Sequence, residues 1–213
     1  MHEGSTRQIY DTHSRFYDLW FGRLVKRRIR DAIGRMRLRA GDRVLDVGVG
    51  TGVSLPFYPS DVRVVAVDLS AGMLQVALRK CETTGLRQVS LLQADALRLP
   101  FADCSFDQVF ISHVISVVSD PVSLLRELQR VARRDAPIVV LNHFASDNRL
   151  VAMLERLVCP ITERLGWRSD LQLAPLVRQT GVEIDYRYKL EQLDFWETVV
   201  FRNTKSRLRV LVG

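Results

Sequence analysis

Cysteine is scarce in this 213-residue chain: Cys81, Cys104 and Cys159 are too few and too scattered for a disulfide framework or a zinc site. A reducing compartment and no metal are therefore expected. Long hydrophobic runs are missing as well. The longest, Val109 to Val118, is broken by Ser112, His113 and Ser116, far short of the ~20 residues that cross a bilayer. No apolar stretch with a small-residue cleavage site stands near the start, so no secretory leader is expected. Repeats, low-complexity tracts and obvious linkers are absent. With 47% hydrophobic and 26% charged residues, the chain can fill a core, and its length suits one domain.

Acidic charge is short overall, with a net charge of +7, and the imbalance sits at the two ends. Residues 1–42 carry +5, residues 202–213 carry +4, and the stretch between them carries −2. Basic ends suit an anionic surface, either a membrane leaflet or a nucleic acid. Arginine-rich helix faces that only keep the protein soluble give the same pattern.

From Arg43 onward, strand-like runs alternate with helical ones. Arg43–Val47, Val62–Val67, Gln88–Gln93, Phe106–Ser112 and Pro137–His143 read as strands, several of them apolar on consecutive residues, as in sheets covered on both faces. Ala71–Cys81, Pro121–Arg133 and Leu150–Leu165 show helical spacing, the second with Asp120 as N-cap and Pro121 at the first helical position. Val182–Leu190 and Leu193–Arg202 read as a closing strand pair. The alternation predicts an α/β, three-layer, doubly wound sheet. Before it, Phe21–Arg39 aligns Leu24, Val25, Ile29, Ile33 and Met36 on one helical face with arginines around them, which predicts an N-terminal helical cap. The expected division is 1–42 as a membrane or lid segment and 43–213 as the main domain.

Directly after the first strand stands Asp46-Val-Gly48-Val-Gly50-Thr-Gly52. Glycines there let backbone N–H groups approach a ligand at the carboxyl end of the sheet. A dinucleotide fingerprint needs glycine at position 53, where this chain has Val53, and the Lys-Ser/Thr of a phosphate loop is absent. The remaining form suits a ligand with an amino-acid end and no pyrophosphate. The second strand ends in Asp68, placed to accept both hydroxyls of a ribose, and Asp95 follows the third strand, placed to read an adenine amine. Singly, each acid reads as a loop cap. Three acids at the ends of three successive strands read as an adenosine-type cradle.

These stretches, VLDVGVGTG, VVAVDLS, QADALRLPF and SFDQVFISHVIS, resemble the class I S-adenosylmethionine-dependent methyltransferases from Arg43 to Arg202. The resemblance implies a Rossmann-like seven-stranded sheet whose last strand runs antiparallel, with S-adenosylmethionine as cofactor. It implies Asp46, Gly48, Gly50 and Gly52 at the methionine end, Asp68 on the ribose, Asp95 and Ala96 at the adenine, and Leu69 among the cofactor-binding residues. His113 and Tyr17, the latter on a lid, would also contact the cofactor. Within that superfamily, Gly50–Tyr58 and the opening Tyr10–Gly22 resemble the soluble bacterial phosphatidylethanolamine N-methyltransferases, although Asp46 stands where glutamate is usual. Ubiquinone and menaquinone C-methyltransferases share much of this core.

The resemblance implies methylation of phosphatidylethanolamine to phosphatidylcholine, in up to three transfers. The enzyme would be a monomer in the cytoplasm, peripherally bound to the inner face of the membrane through residues 1–42. The basic amphipathic helix, with Trp20 and Phe21 at headgroup depth, agrees with that reading. A helix that lays its apolar stripe on the sheet has the same pattern. The acceptor ammonium, with a pKa of about 10.4 like that of lysine, must lose a proton before attack. Tyr10, Tyr17, His113 and His143 are the candidates to accept or relay it, His113 and His143 because they close the fourth and fifth strands. A quinone precursor or other small apolar acceptor remains the alternative. Nucleic acid is disfavoured because Ser112-His113-Val114-Ile115 replaces an Asn/Asp-Pro-Pro-Tyr stretch after the fourth strand.

Overall fold

The computed structural model describes residues 25–144, 171–191 and 194–204. Seven strands form one sheet: β1 (Arg43–Val47), β2 (Arg63–Asp68), β3 (Val89–Gln93), β4 (Gln108–Ser112), β5 (Pro137–Asn142), β6 (Glu183–Tyr188) and β7 (Glu197–Arg202). Their spatial order is β3-β2-β1-β4-β5-β7-β6. β1 to β5 are mutually parallel, and β7 runs antiparallel to both β5 and β6. This is the α/β three-layer sheet expected from the sequence, antiparallel last strand included.

The order explains the composition of each strand. The central strands β1, β4, β5 and β7 are covered on both faces, are buried at nearly every position and carry apolar residues on consecutive positions. The edge strands β3 and β6 are largely exposed, and their sequences, VSLLQ and EIDYRY, are correspondingly mixed.

Helices α1 (25–35), α2 (Ala71–Thr84), α3 (Pro121–Val131) and α4 (Leu173–Thr180) supply the outer layers. Alternate residues of each strand divide the core in two. Leu45, Val47, Val109, Ile111 and Val140 pack against Leu124, Leu125 and Leu128 of α3 and Leu173 and Leu176 of α4. Val44, Ala66, Phe110 and Val139 pack against α2 and against Val25, Ile29, Ala32 and Ile33 of α1. Ser70 caps α2 by accepting the Met73 N–H, and Asp120 caps α3 by accepting those of Val122 and Ser123. The sequence gives no sign of α4, because Gln172 supplies no side-chain cap and Pro175 reads as a breaker; in the first turn proline is tolerated. The expected helix Leu150–Leu165 lies outside the described residues.

One expectation is corrected here. The apolar stripe of α1 does not face a membrane: Val25, Ile29, Ala32, Ile33 and Met36 are all at most 5% exposed and belong to the core. The spacing that suits an interfacial helix suits a core helix equally, and the open sheet face decides between them. Residues 25–42 are thus built into the main domain. Truncating Ile33 to Ala should destabilise the fold by about 2–4 kcal/mol in urea denaturation without lipid, as for other core aliphatics. A helix that packed only on lipid would lose almost nothing.

Candidate active site

The strand order reverses between β1 and β4, and open α/β sheets bind ligands outside the carboxyl ends of the strands at such a point. The loop that follows β1 is folded tightly there. Gly48 N–H and Val49 N–H both donate to the carbonyl of Val67, at 2.8 and 3.0 Å, which ties the loop to β2. Gly48 has φ +70°, and a Cβ there would collide with the Val114 side chain, so only glycine fits. Gly50, at φ +54°, differs: a Cβ would meet nothing within 4 Å. The backbone at Gly50 faces open space, the room a ligand needs.

Asp68, at the tip of β2, accepts the Gly50 N–H on Oδ2 at 2.8 Å and the Ser70 N–H on Oδ1 at 2.9 Å. It is thereby fixed beside the open loop, and its neighbour Leu69 is 53% exposed. Burial pushes the Asp68 carboxyl above its usual range, and the N–H groups of Ser70 and Gly50 oppose the shift.

Asp46 plays a different part from the one expected. It projects into the α1/α2 core, buried, and its Oδ2 accepts Ser54 Oγ–H at 2.6 Å and Tyr58 O–H at 3.0 Å. Its carboxylate thereby joins the end of β1 to Ser54 and Tyr58, the residues that follow the glycine loop. Ser54 and Tyr58 were not singled out individually from the sequence; hydroxyls eight and twelve residues beyond a buried acid were the available signal.

Asp95 is exposed, and its Oδ1 accepts the Leu97 N–H at 2.8 Å, while Ala96 packs partly on the core. The rest of this loop is held from α3. Arg130 donates to the carbonyls of Leu99 and Phe101 at 3.0 and 2.7 Å, and Glu127 accepts the Leu99 N–H at 2.7 Å.

His113 follows β4 with φ 60°, a left-handed conformation uncommon for a side-chain-bearing residue, and its N–H donates to the Leu141 carbonyl at 2.9 Å. Strain of this kind collects at functional sites. The next residue, Val114, is the one that abuts Gly48. Burial, and secondarily the charge of Arg28, pushes the His113 imidazole down to about 4, so it is neutral at physiological pH. Trp196 meets it edge-on at 6.0 Å between ring centroids.

His143, the other histidine expected to handle protons, is placed otherwise. It is 3% exposed, stacked on the Phe195 ring at 3.7 Å, with Nδ1 2.8 Å from the Phe195 carbonyl. A carbonyl only accepts, so Nδ1 carries the hydrogen, and the ring anchors the β6–β7 connection from beneath. The Nδ1 side of the ring is thus committed to the Phe195 carbonyl. Tyr10 and Tyr17, as well as Trp20 and Phe21, lie outside the described residues. No group of three or more His, Cys, Asp or Glu that could hold a metal ion occurs among the described residues.

Comparison with known proteins bears on this geometry. The "Methyltransferase domain" family model matches residues 45–140, from β1 to β5. A phosphatidylethanolamine N-methyltransferase of Cereibacter sphaeroides is 38% identical over 169 residues, covering 79% of this chain and 83% of that protein. The chain belongs to the class I S-adenosylmethionine-dependent methyltransferases. Other relatives in this methyltransferase family are demethylmenaquinone methyltransferases, among them that of Thermobifida fusca, 34% identical over 74% of this chain. The chain spans 63% of that relative's length and 52% of the one from Renibacterium salmoninarum. Among solved structures, a putative methyltransferase of Bacillus halodurans superposes with a TM-score of 0.71 at 18% identity, covering 83% of this chain and 98% of its own. Phosphoethanolamine N-methyltransferase 2 of Haemonchus contortus, in complex with S-adenosylmethionine, gives 0.67 at 23%, covering 84% and 43%. These likenesses establish the fold. As a member of the family, the methyltransferase uses S-adenosylmethionine, and the open backbone at Gly50 beside the fixed Asp68 carboxylate fits an adenosyl sulfonium with a ribose.

The buried Asp46 gives the site a pH signature. Desolvation outweighs its two hydroxyl bonds and pushes its pKa from the usual 3.8 to about 6. The folded protein thus holds this proton more tightly than the unfolded chain. The stabilisation is complete below the unfolded value and is lost as pH rises through 6, about 3 kcal/mol in all. Asp46→Asn keeps an acceptor oxygen for Ser54 and Tyr58 but removes the titration. Urea denaturation at pH 5 and pH 7.5 should show the wild type losing roughly 1 kcal/mol more than this variant across the interval.

Proposed function

We propose that this methyltransferase transfers methyl groups to the amine of phosphatidylethanolamine and its mono- and dimethyl derivatives, forming phosphatidylcholine. The observation that carries the reading is the match to the Cereibacter sphaeroides enzyme over about four-fifths of both chains, 79% and 83%. The demethylmenaquinone methyltransferases are of similar identity but extend well beyond the length this chain spans. Their likeness sustains a second reading, a quinone precursor as acceptor.

The binding roles follow from the chemistry of the groups at the strand ends. Asp68, with one lone-pair direction on each oxygen already used, has further acceptor capacity for both ribose hydroxyls. The Gly48–Gly52 loop takes the amino-acid end, and Asp95 and Ala96 flank the adenine with Leu69. S-adenosylmethionine, when bound, supplies a methyl group on a sulfonium that departs as a neutral thioether. The protein's contribution is placement of the acceptor nitrogen in line with that methyl group. His113 is neutral and too weak a base to deprotonate an ammonium in the resting site. It acts as a hydrogen-bond acceptor that orients the neutral amine, and the ammonium proton is lost to solvent beforehand. Transfer therefore speeds up with rising pH, towards the ionisation of the amine.

Docking to an anionic leaflet, on the cytoplasmic side, is part of the proposal. On α1 and the segment after it, Lys26, Arg30, Arg37 and Arg39 are exposed, and each basic residue near such a surface contributes about 1 kcal/mol. No helix of the described residues is long and apolar enough to cross a membrane.

The test is incubation with methyl-labelled S-adenosylmethionine and vesicles of phosphatidylethanolamine plus an anionic lipid, with a demethylmenaquinone arm in parallel. Label in mono-, di- and trimethylated phospholipid, rising between pH 6.5 and 8.5, is the expected result. Label only in the quinone arm would replace the lipid reading with the second one.

A further inference from the structure

Helix α1 and the β6–β7 connection are distant in sequence and joined by charge. Arg28 Nε donates to both carboxylate oxygens of Asp194, at 2.9 and 2.7 Å. The pair is sheltered: the Asp194 side chain is 1% exposed and that of Arg28 18%. The same guanidinium lies over the Trp196 ring, 4.6 Å from its centroid, and the Trp196 N–H donates to Asp194 Oδ1 at 3.2 Å. One turn of chain is thus gripped from two sides by a single arginine. Arg27 adds an exposed pair with Glu191 at 2.8 Å, and Lys189 Nζ donates to the Asp194 carbonyl at 3.0 Å.

What this turn carries makes the grip functional. Trp196 stands edge-on to His113, whose neighbour Val114 lies against Gly48 of the cofactor loop. Phe195 stacks on His143, meets Trp196 at 5.7 Å and is still 44% exposed. An aromatic wall therefore stands at the carboxyl ends of β4 and β5, beside His113 and His143.

We propose that Arg28 and Asp194 form a latch that sets Trp196 and Phe195 as the acceptor wall of the site, so that α1 governs acceptor placement and leaves cofactor binding untouched. The wall's identity as the acceptor side rests on the methyltransferase function proposed above. Arg28 is a positioning residue: it acts on the acceptor side through Trp196, and its charge also bears on His113. Planarity matters more than charge in this role, because the flat guanidinium lies on the indole while its Nε–H is shared by the two carboxylate oxygens.

Removing Arg28 outright would strand the buried Asp194 carboxylate and endanger the fold. Arg28→Lys keeps the charge and loses the planar stack on Trp196 and the Nε–H contact. It is to be compared with wild type in a background carrying Trp20→Phe and Trp167→Phe, so that Trp196 alone emits. The expected result is at least a twofold rise in acrylamide quenching of Trp196, a roughly tenfold rise in acceptor KM on phosphatidylethanolamine vesicles, and S-adenosylmethionine affinity within twofold. Unchanged quenching, or cofactor affinity falling in step with acceptor KM, would overturn the latch. Should the wild type transfer no methyl to phosphatidylethanolamine, that failure belongs to the proposed function. The latch is then judged on the other two readouts: increased quenching with cofactor affinity held supports it, and unchanged quenching overturns it.

Discussion

The hydrogen bond from Gly50 N–H to the Asp68 carboxylate is the contact on which the site depends. It joins the loop after β1 to the tip of β2, and it does so at the residue whose backbone faces open space. It adds a side-chain tie to the two backbone bonds, from Gly48 and Val49 to the Val67 carbonyl, that already fasten the loop to β2. With it, the open backbone at Gly50 and a carboxylate are held in one orientation before any ligand arrives, and such pre-organisation lowers the ordering cost of binding. Asp46 joins the end of β1 to Ser54 and Tyr58, which follow the same loop. The two carboxylates are both desolvated, which raises both pKa values. The site keeps charge that folding alone would not favour, as sites arranged for ligands commonly do.

The other side of the cleft is built by long-range contacts. α1 is pressed onto the sheet by its aliphatic stripe and fastened to the β6–β7 hairpin by Arg27, Arg28 and Arg35, the last lying over the Tyr188 ring at 4.5 Å. Part of the basic charge that marks the N-terminal segment is thereby used within the fold. Arg30 lies over the Phe57 ring at 5.2 Å, and among the described residues of this segment Lys26, Arg37 and Arg39 are exposed.

How much of this was legible in the sequence depends on the range of the interaction. β1 matches its expected bounds, and the caps at Asp120 and Pro121 act as their types require, because each rests on neighbours within a few residues. Asp68 is legible for the same reason, as an acid ending an apolar strand. The two readings of α1 were inseparable by pattern, since helical periodicity says which face is apolar and nothing about what covers it. The Arg28–Asp194 pair joins residues 166 apart, and the arginine is one of many on its helix. The left-handed backbone at His113 depends on the turn after β4, and the commitment of His143 to Phe195 depends on a connection that only the closed sheet brings near.

The most direct measurement is calorimetric titration of the protein with S-adenosylmethionine, repeated on Asp68→Ala with circular dichroism to verify folding. The account predicts micromolar-range binding to the wild type and a loss of affinity of about a hundredfold in the folded variant, as for removal of a charged hydrogen-bond acceptor from two hydroxyls. Equal affinity in the two proteins would contradict the claim that the Gly50–Asp68 pair forms the cofactor cradle.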